Sequence, residues 1–215
     1  MADWSYGDSW ERYPIEIGTT WMERRTGSAV AVCDLFDGLP VFMTQADMIY
    51  VDPPWNTGNV RSFYTKAGTP TNRNFPQLLG VLLEHIEDIS ARVCYMEMGK
   101  QHRGLVASEL RLIYPSVQTW QVTYYRRNPS YLIRAGYMPT GHDYTGIDDM
   151  HAPRIAMKHE VFDCVADLCM GRGLTATTAY KLGKRFVGTE LNPRRLACTI
   201  DKIAKLGGDW CITQP

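Results

Sequence analysis

The segments DLCMGRGLT at residues 167–175 and VGTELNP at residues 187–193 decide the predicted fold of this chain. Apolar runs at 161–168 and 185–191 predict two buried strands, and residues 175–182 between them predict a helix. A strand followed by a helix and a second strand is typical of a parallel sheet that is covered by helices.

Two glycines and one acid in these segments point to a nucleoside site. Gly171 and Gly173 lie between the first strand and its helix, where glycine lets a ligand approach the backbone. Glu190 follows ~20 residues later, at the end of the second strand, where a carboxylate binds both hydroxyls of a ribose. Asn192 and Pro193 then favour the start of another helix.

The glycine turn also limits the kind of nucleoside. The chain has neither the GxxxxGK[ST] pattern of a triphosphate site nor the third glycine of the dinucleotide fingerprint, which disfavours a nucleotide-dependent oxidoreductase. A nucleoside without a pyrophosphate fits better, and S-adenosylmethionine is such a ligand. Its ribose would meet Glu190 and its amino-acid end would lie over the glycine turn.

The rest of the chain extends the alternation of strands and helices. We predict strands at 29–33, 48–51 and 92–98 and helices at 75–89 and 100–113. The predicted fold is therefore α/β, with a Rossmann-like, mostly parallel sheet, a hairpin near its end and helices on both faces.

Two irregular loops and the hairpin complete this prediction. Residues 57–73 and 135–153 lack periodicity and are rich in turn-forming residues, so both are predicted to be loops. Residues 118–126 and 131–134 predict the hairpin, with Asn128-Pro129-Ser130 as its turn.

A second functional motif, Asp52-Pro53-Pro54-Trp55, follows the predicted strand at 48–51. Carboxyl ends of parallel strands share one edge of a sheet, so this motif and the glycine turn are expected to face one crevice. Asp52 and the Pro53 carbonyl are suitable acceptors for the hydrogens of an exocyclic amino group, and Trp55 offers a flat surface for an unstacked base. We expect that the methyl group of S-adenosylmethionine passes directly to such an amino group. The transfer would depend on positioning and on the Asp52 charge, without a metal or a covalent intermediate.

Together the motifs resemble the amino-methyltransferases of DNA, in the permuted (beta-type) class whose catalytic tetrapeptide precedes the cofactor turn. The resemblance spans about residues 29–206 and implies one methyltransferase domain over 1–215, with a catalytic-loop half at 29–134, a cofactor-turn half at 154–206 and no separate target-recognition domain. Asp at the head of the tetrapeptide resembles the N6-adenine enzymes, whereas the cytosine enzymes more often begin with Ser. The short region between the two halves resembles compact modification enzymes, including those that bacteriophages carry.

The resemblance also assigns roles to individual residues. It implies that the catalytic residues are Asp52, Pro53, Pro54 and Trp55, and that the cofactor is bound by Asp34, Asp167, Cys169, Gly171, Gly173, Thr175, Glu190 and Asn192. The family usually has an aromatic residue where this chain has Cys169. Tyr131 lies in the segment that resembles the lining of the target base, and Arg61, Lys66 and Arg73 are predicted phosphate contacts.

Composition places few further limits on the function. The 45% of hydrophobic residues predict a globular chain, and a formal net charge of zero means that any nucleic-acid face is local. No run approaches the ~20 apolar residues of a membrane span, and residues 1–4 lack the pattern of a secretion signal, so a cytoplasmic protein is expected. Six scattered cysteines and unpaired histidine spacings predict free thiols and no metal site.

Three alternatives stay open at this point. An RNA adenine enzyme shares the tetrapeptide, and a DNA cytosine-N4 enzyme shares the fold. A non-catalytic subunit of a methyltransferase heterodimer would keep the fold as a scaffold. The expected partners are DNA, or RNA, and the resemblance adds a homodimer.

Overall fold

A computed structural model of the chain describes residues 6–213. Within that range the backbone forms nine strands of one sheet, seven α-helices and two short 3-10 turns at 35–37 and 41–45. The helices and strands are, in chain order, α1 (Ser9–Arg12), β1 (Thr20–Glu23), β2 (Ser28–Val32), β3 (Met48–Val51), α2 (Thr57–Ala67), α3 (Phe75–Ile89), β4 (Val93–Met98), α4 (Arg103–Ile113), β5 (Ser116–Tyr124), β6 (Asn128–Gly136), α5 (Ala152–His159), β7 (Cys164–Asp167), α6 (Leu174–Lys181), β8 (Arg185–Glu190), α7 (Pro193–Ala204) and β9 (Trp210–Thr213).

The sheet is mixed, with strand order β5-β6-β4-β3-β7-β8-β2-β1-β9. Its central strands, from β4 to β2, are parallel to one another. The pairs at both sides are antiparallel and include more paired residues than the parallel centre does. These pairs are β4-β6, β5-β6, β1-β2 and β1-β9. The prediction of a mostly parallel sheet is therefore wrong, because long antiparallel ribbons extend the parallel centre on each side.

The parallel centre places the two predicted functional motifs side by side. After β3 the chain adds β4 on one side of the sheet, whereas after β7 it adds β8 on the other side. Strands β3 and β7 pair directly, with Met48 opposite Val165, so the order of the sheet reverses between them. Such a switch point leaves a crevice at the carboxyl ends of its strands, which is where open α/β sheets bind ligands.

Each face of the sheet is covered by its own set of helices. In β3 the alternate residues Ile49 and Val51 belong to a core with α2, α3 and α4, while Met48 and Tyr50 belong to a core with α5, α6 and α7. All four side chains are at most 1% exposed. Burial on both faces explains why β3 is a continuous apolar run instead of an alternating one.

Most predicted elements lie where the sequence places them, but the irregular loop at 57–73 is wrong. Helix α2 occupies its first part: the Asn56 side chain caps the helix by accepting from the backbone N–H of Asn59, and Gly68 ends it in the left-handed conformation. Val60 and Tyr64 are buried one turn apart. The fold thus stabilises this helix through its caps and one buried stripe, although its composition is polar.

The hairpin is confirmed, whereas its predicted turn is wrong. Asn128, Pro129 and Ser130 lie within β6 and pair with β5, and the chain reverses at residues 125–127. Tyr125 and Arg126 adopt positive φ angles of 50° and 59° there. Residues 1–4, on which the expectation about a secretion signal depends, lie outside the described residues. No described helix is long and apolar enough to cross a membrane.

One carboxylate ties together the amino ends of three parallel strands. Asp47, just before β3, accepts hydrogen bonds from the backbone N–H groups of Asp163 (3.0 Å) and Cys164 (2.9 Å) and from the Arg92 guanidinium (2.8 Å). Arg92 also donates to the carbonyl of Val161 at 2.8 Å. This group fixes β3, β4 and β7 at the edge opposite the crevice.

Asp47→Ala is expected to lower the free energy of unfolding by about 2–3 kcal/mol, because it leaves charge-assisted bonds to two backbone donors unmade. Urea denaturation measures the change. Asp163→Ala is the matched control, because the Asp163 carboxylate is nearby but exposed. Its ion pair with Lys184, at 3.5 Å, is a surface pair worth about 0–1 kcal/mol. Equal losses in the two variants would contradict the assigned role of Asp47.

Candidate active site

An open cleft of about 540 Å³ lies at the carboxyl edge of the central strands. Five residues singled out from the sequence line it: Asp34, Asp52, Pro54, Cys169 and Glu190. They come from the ends of β2, β3, β7 and β8, so the predicted convergence of the two motifs on one crevice is observed. Further lining residues include Leu35, Phe63, Tyr64, Leu78 and Arg195.

The Asp52–Trp55 segment leaves β3 with its four side chains in different environments. Asp52 is open to the cleft and Pro54 lines it, whereas Pro53 is buried. Trp55 lies beside the cleft, where its indole N–H donates to Oδ1 of Asp52 at 2.9 Å. A Cβ on Gly99 would lie 3.0 Å from the Trp55 ring, so the ring packs closely against this glycine.

Solvent reaches the Asp52 carboxylate, but the surrounding protein raises its pKa to about 7. The main cause is desolvation by the walls of the cleft, and the charge of Asp149 adds to it. The hydrogen bond from Trp55 acts in the opposite direction. A carboxylate with this pKa changes between proton acceptor and neutral acid near neutral pH.

The glycine turn after β7 is a backbone structure that other residues would not allow. Gly173 has a φ of +74°, and a Cβ there would lie 2.5 Å from the Thr199 side chain. Gly171 has a φ of +55°. The Asp167 carboxylate accepts from the backbone N–H of Cys169 at 3.0 Å and is hydrogen-bonded by Thr175. Asp167 and Thr175 thus stabilise the turn through these hydrogen bonds.

Glu190 connects this turn to the start of α7. Its Oε2 accepts from the N–H of Gly171 at 2.6 Å, and its Oε1 accepts from the N–H of Asn192 at 2.9 Å. Burial raises the pKa of Glu190, while the charge of Arg195 and the backbone donors oppose that shift. The Arg195 guanidinium lies 4.7 Å from the Phe63 ring centroid and so forms a cationic wall of the cleft.

Asp34 lines the cleft at the end of β2, next to the end of β8, and is already hydrogen-bonded by three groups. Its Oδ1 accepts from the Tyr64 hydroxyl at 2.6 Å and from the N–H of Phe36 at 3.1 Å. Its Oδ2 accepts from the Arg73 guanidinium at 2.5 Å, which also stacks 3.9 Å from the Phe36 ring centroid. The structure thus places Arg73, a predicted phosphate contact, on the residue predicted to contact the cofactor.

The other predicted contacts lie at different places around the site. Arg61 and Lys66 are exposed on α2, and Tyr131 lies opposite Met98 at the carboxyl edge, beneath the Arg103 guanidinium. Asn192 does not line the cleft. It caps α7 by accepting from the N–H of Arg194 at 2.9 Å, and its amide donates to the Lys66 carbonyl at 3.0 Å.

The sequence analysis missed Phe63, Tyr64 and Arg195, which line the cleft. The first two belong to α2, which was taken for a loop. The signal was present in the chain: Asn56 is an N-cap, and the apolar residues 60, 63 and 64 have helical spacing before Gly68. Arg195 follows the predicted N-cap Asn192 by three residues, within one turn of α7.

Behind Asp52 lies Glu97, a buried acid that the sequence analysis did not single out. The Tyr50 hydroxyl donates to its Oε1 at 2.5 Å, and its Oε2 has no hydrogen-bond partner among residues 6–213. Desolvation and the charge of Asp52 raise the pKa of Glu97 well above its usual range. Within the same residues, no three acidic, histidine or cysteine side chains form a group that could hold a metal ion.

Two solved structures of similar fold provide a comparison. The M1.HpyAVI-SAM complex has a TM-score of 0.56 at 14% identity and covers 80% of this chain and 97% of its own. TTHA0409 from Thermus thermophilus, assigned as a DNA modification methylase and solved with S-adenosyl-L-methionine, has a TM-score of 0.56 at 13% identity and covers 82% and 93%. No protein-family model matches the chain, and no curated protein matches it in sequence. The likeness shows a shared fold.

The raised pKa of Asp52 predicts a pH-dependent effect of Asp52→Asn on stability. Between its ordinary value of 3.8 and about 7, the folded state holds a proton that the unfolded state has released, so folding becomes less favourable as pH rises. The asparagine variant lacks this penalty. The free energy of unfolding of the variant, relative to that of the wild type, should therefore increase from about pH 4 to about pH 8.

Urea denaturation of both proteins at pH 5 and pH 8 measures this gain. Asp163→Asn serves as the control, because its side chain is 99% exposed. A difference between Asp52→Asn and the wild type that is the same at both pH values would rule out the assigned shift.

Proposed function

We propose that this protein transfers a methyl group from S-adenosylmethionine to the N6 amino group of adenine in DNA. The observation that carries the proposal is the convergence of Asp52, Asp34 and Glu190 on one cleft at the switch point of the sheet. Each is a fixed acceptor at the carboxyl end of a different strand. The set suits a nucleoside on one side and an amino group on the other.

The cofactor part of the proposal rests on the shape and charge of the cleft. Glu190 has its carboxylate oriented by two backbone donors, which leaves lone pairs for the hydroxyls of a ribose. Asp34 is an acceptor suited to an adenine amino group. Three carboxylates line the cleft, so it is complementary to a cationic sulfonium. Both compared proteins were solved with this cofactor.

The target part of the proposal rests on Asp52 and its neighbours. When bound, the cofactor supplies a methyl group that is already activated on sulfur. The chain then has to orient the amino nitrogen, and Asp52 and the Pro53 carbonyl are suited to accept hydrogen bonds from its two hydrogens. When the nitrogen takes the methyl group and the bond to sulfur breaks, one of these hydrogens leaves as a proton, which the Asp52 carboxylate can accept. A pKa of Asp52 near 7 suits a group that accepts a proton when the nitrogen gains its methyl group.

Asp52→Ala is expected to lower methyl transfer by at least about 10²-fold, because a fixed acceptor at the reacting nitrogen is lost. In the wild type, kcat/KM should rise with pH through about 7, as Asp52 becomes ionised. The measurement is transfer of labelled methyl from the cofactor to DNA and to RNA, with nucleoside analysis of the product. Asp163→Ala is the control.

N6-methyladenine in DNA, lost with Asp52→Ala, is the expected product. N4-methylcytosine would instead indicate cytosine as the target base, and label in RNA alone would indicate RNA as the substrate. Cofactor binding without any transfer would favour a scaffold role in a heterodimer. Size-exclusion chromatography tests the expected homodimer.

Glu190→Gln is expected to weaken cofactor binding by about tenfold or more, because hydrogen bonds to a charged group are worth about 1.5–3 kcal/mol. Isothermal titration calorimetry with S-adenosylmethionine measures the dissociation constant. Glu87→Gln, on the exposed side of α3, is the matched control. A thermal melt of each variant separates weaker binding from a disturbed turn, and unchanged affinity in a folded Glu190→Gln protein would refute the ribose contact.

A further inference from the structure

The hairpin tip, defined as Tyr124 to Asn128, extends beyond the carboxyl edge of the sheet. Strand β4 ends at Met98, which lies opposite Tyr131, and Tyr131 in turn lies opposite Gln121. Strands β5 and β6 continue past that point to the pair of Tyr124 and Asn128. The tip is therefore on the same side of the sheet as the cleft.

A run of aromatic rings, here called the aromatic track, joins this tip to Asp52. Trp55, whose indole bonds Asp52, has its ring centroid 4.8 Å from that of Tyr124. The Tyr124 ring is in turn 4.3 Å from the Tyr125 ring. Tyr125 is 49% exposed, which is a large apolar surface to leave in water. The track thus begins at the cleft and ends at the surface of the hairpin tip.

The conformation of the tip is held by acids from a distant segment. Tyr125 and Arg126 have positive φ angles although neither is glycine. Asp149 accepts from the N–H of Tyr125 at 3.1 Å, and Asp148 accepts from the N–H of Arg126 at 2.8 Å. A strained turn that needs such support is a reason to look for a function. Residues 125–127, at this turn, are exposed.

The charge of the tip is positive. Arg126 and Arg127 are exposed, and neither guanidinium has an ion pair within residues 6–213. Asp148 and Asp149 are close, but their carboxylates are directed at the backbone of the turn. At the base of the hairpin, the Arg103 guanidinium lies 4.2 Å from the Tyr131 ring centroid. Exposed aromatic rings next to unpaired guanidinium groups are complementary to unstacked bases and phosphates.

We propose that the hairpin tip binds the DNA strand beside the target base, with Tyr125 stacked on a flanking base and Arg126 and Arg127 on its phosphates. The inference rests on the proposed function and specifies how the site meets its substrate. Stacking on the track requires bases that are not already stacked in a duplex. Single-stranded DNA should therefore bind to the tip more tightly than duplex DNA of the same sequence.

The experiment uses the full chain and four variants. Tyr125→Asn removes the ring but keeps a residue that tolerates positive φ, and Tyr125→Phe keeps the ring. The double variant Arg126→Ala/Arg127→Ala removes two charges from the tip. Arg24→Ala/Arg25→Ala removes two charges from the opposite edge of the sheet, where β1 turns into β2.

Fluorescence anisotropy of a labelled oligonucleotide of mixed sequence measures binding at several salt concentrations. Tyr125→Asn is expected to weaken binding of the single strand about tenfold, whereas Tyr125→Phe keeps it. The Arg126/Arg127 variant should make the slope of log affinity against log salt shallower by about 1.4, or ~0.7 for each lost phosphate contact. The Arg24/Arg25 control should leave the slope unchanged.

Methylation of unmethylated genomic DNA separates this inference from the proposed function. If the wild type methylates DNA and the tip variants keep its KM and its affinity, the inference is overturned and the function stands. If the wild type transfers no methyl group but the tip variants lose affinity for the single strand, the proposed function fails, and only the binding of single-stranded DNA by the tip stands. Tighter binding of the duplex than of the single strand would also overturn the inference.

Discussion

The Glu190 carboxylate is the contact on which the geometry of the cleft depends. It accepts from the backbone of Gly171 on one side and from that of Asn192 on the other, so it fixes the glycine turn relative to the start of α7. Gly173 then packs against Thr199 at a distance that excludes any side chain. The turn after β7 and the start of α7 are therefore held at a fixed separation.

The cleft concentrates acids in a place where water is only partly available. Burial raises the pKa of Asp167 to about 7, and the charges of Asp52 and Glu190 add to that effect. Such a site disfavours a full set of ionised carboxylates and is stabilised by any cation that enters it. The guanidinium groups of Arg195 and Arg73 offset part of this negative charge.

The sequence predicted elements whose determinants are local. Helix α3 begins and ends at the predicted residues, 75 and 89. Its apolar stripe and its Asn74–Gln77 capping box lie within or next to the helix itself, so both can be recognised in the local sequence. Helix α2 has local signals too, in its Asn56 N-cap and its Gly68 C-cap, but its composition is polar and its buried stripe consists of only Val60 and Tyr64, so the loop prediction prevailed.

Contacts between distant parts of the chain account for the other errors. Asn128-Pro129 is a strong local turn signal, but Asp148 and Asp149 fix the reversal at Tyr125 and Arg126 from more than twenty residues away. The antiparallel ribbon of β1 and β9 pairs Thr20 with Thr213, which no local pattern predicts. For the site, strand ends located Asp52 and Glu190 and the family resemblance added Asp34, whereas the Arg73–Asp34 pair required the tertiary structure.

Two cysteines, Cys33 and Cys169, line the cleft. Burial raises the pKa of Cys33 to about 11 and that of Cys169 well above its usual range. Since the thiolate is the form that reacts with oxidants and alkylating agents, these shifts make both sulfurs less reactive at neutral pH than an exposed cysteine. Neighbouring acids add to both shifts, so the negative charge that gathers at the strand ends also lowers the reactivity of the two thiols.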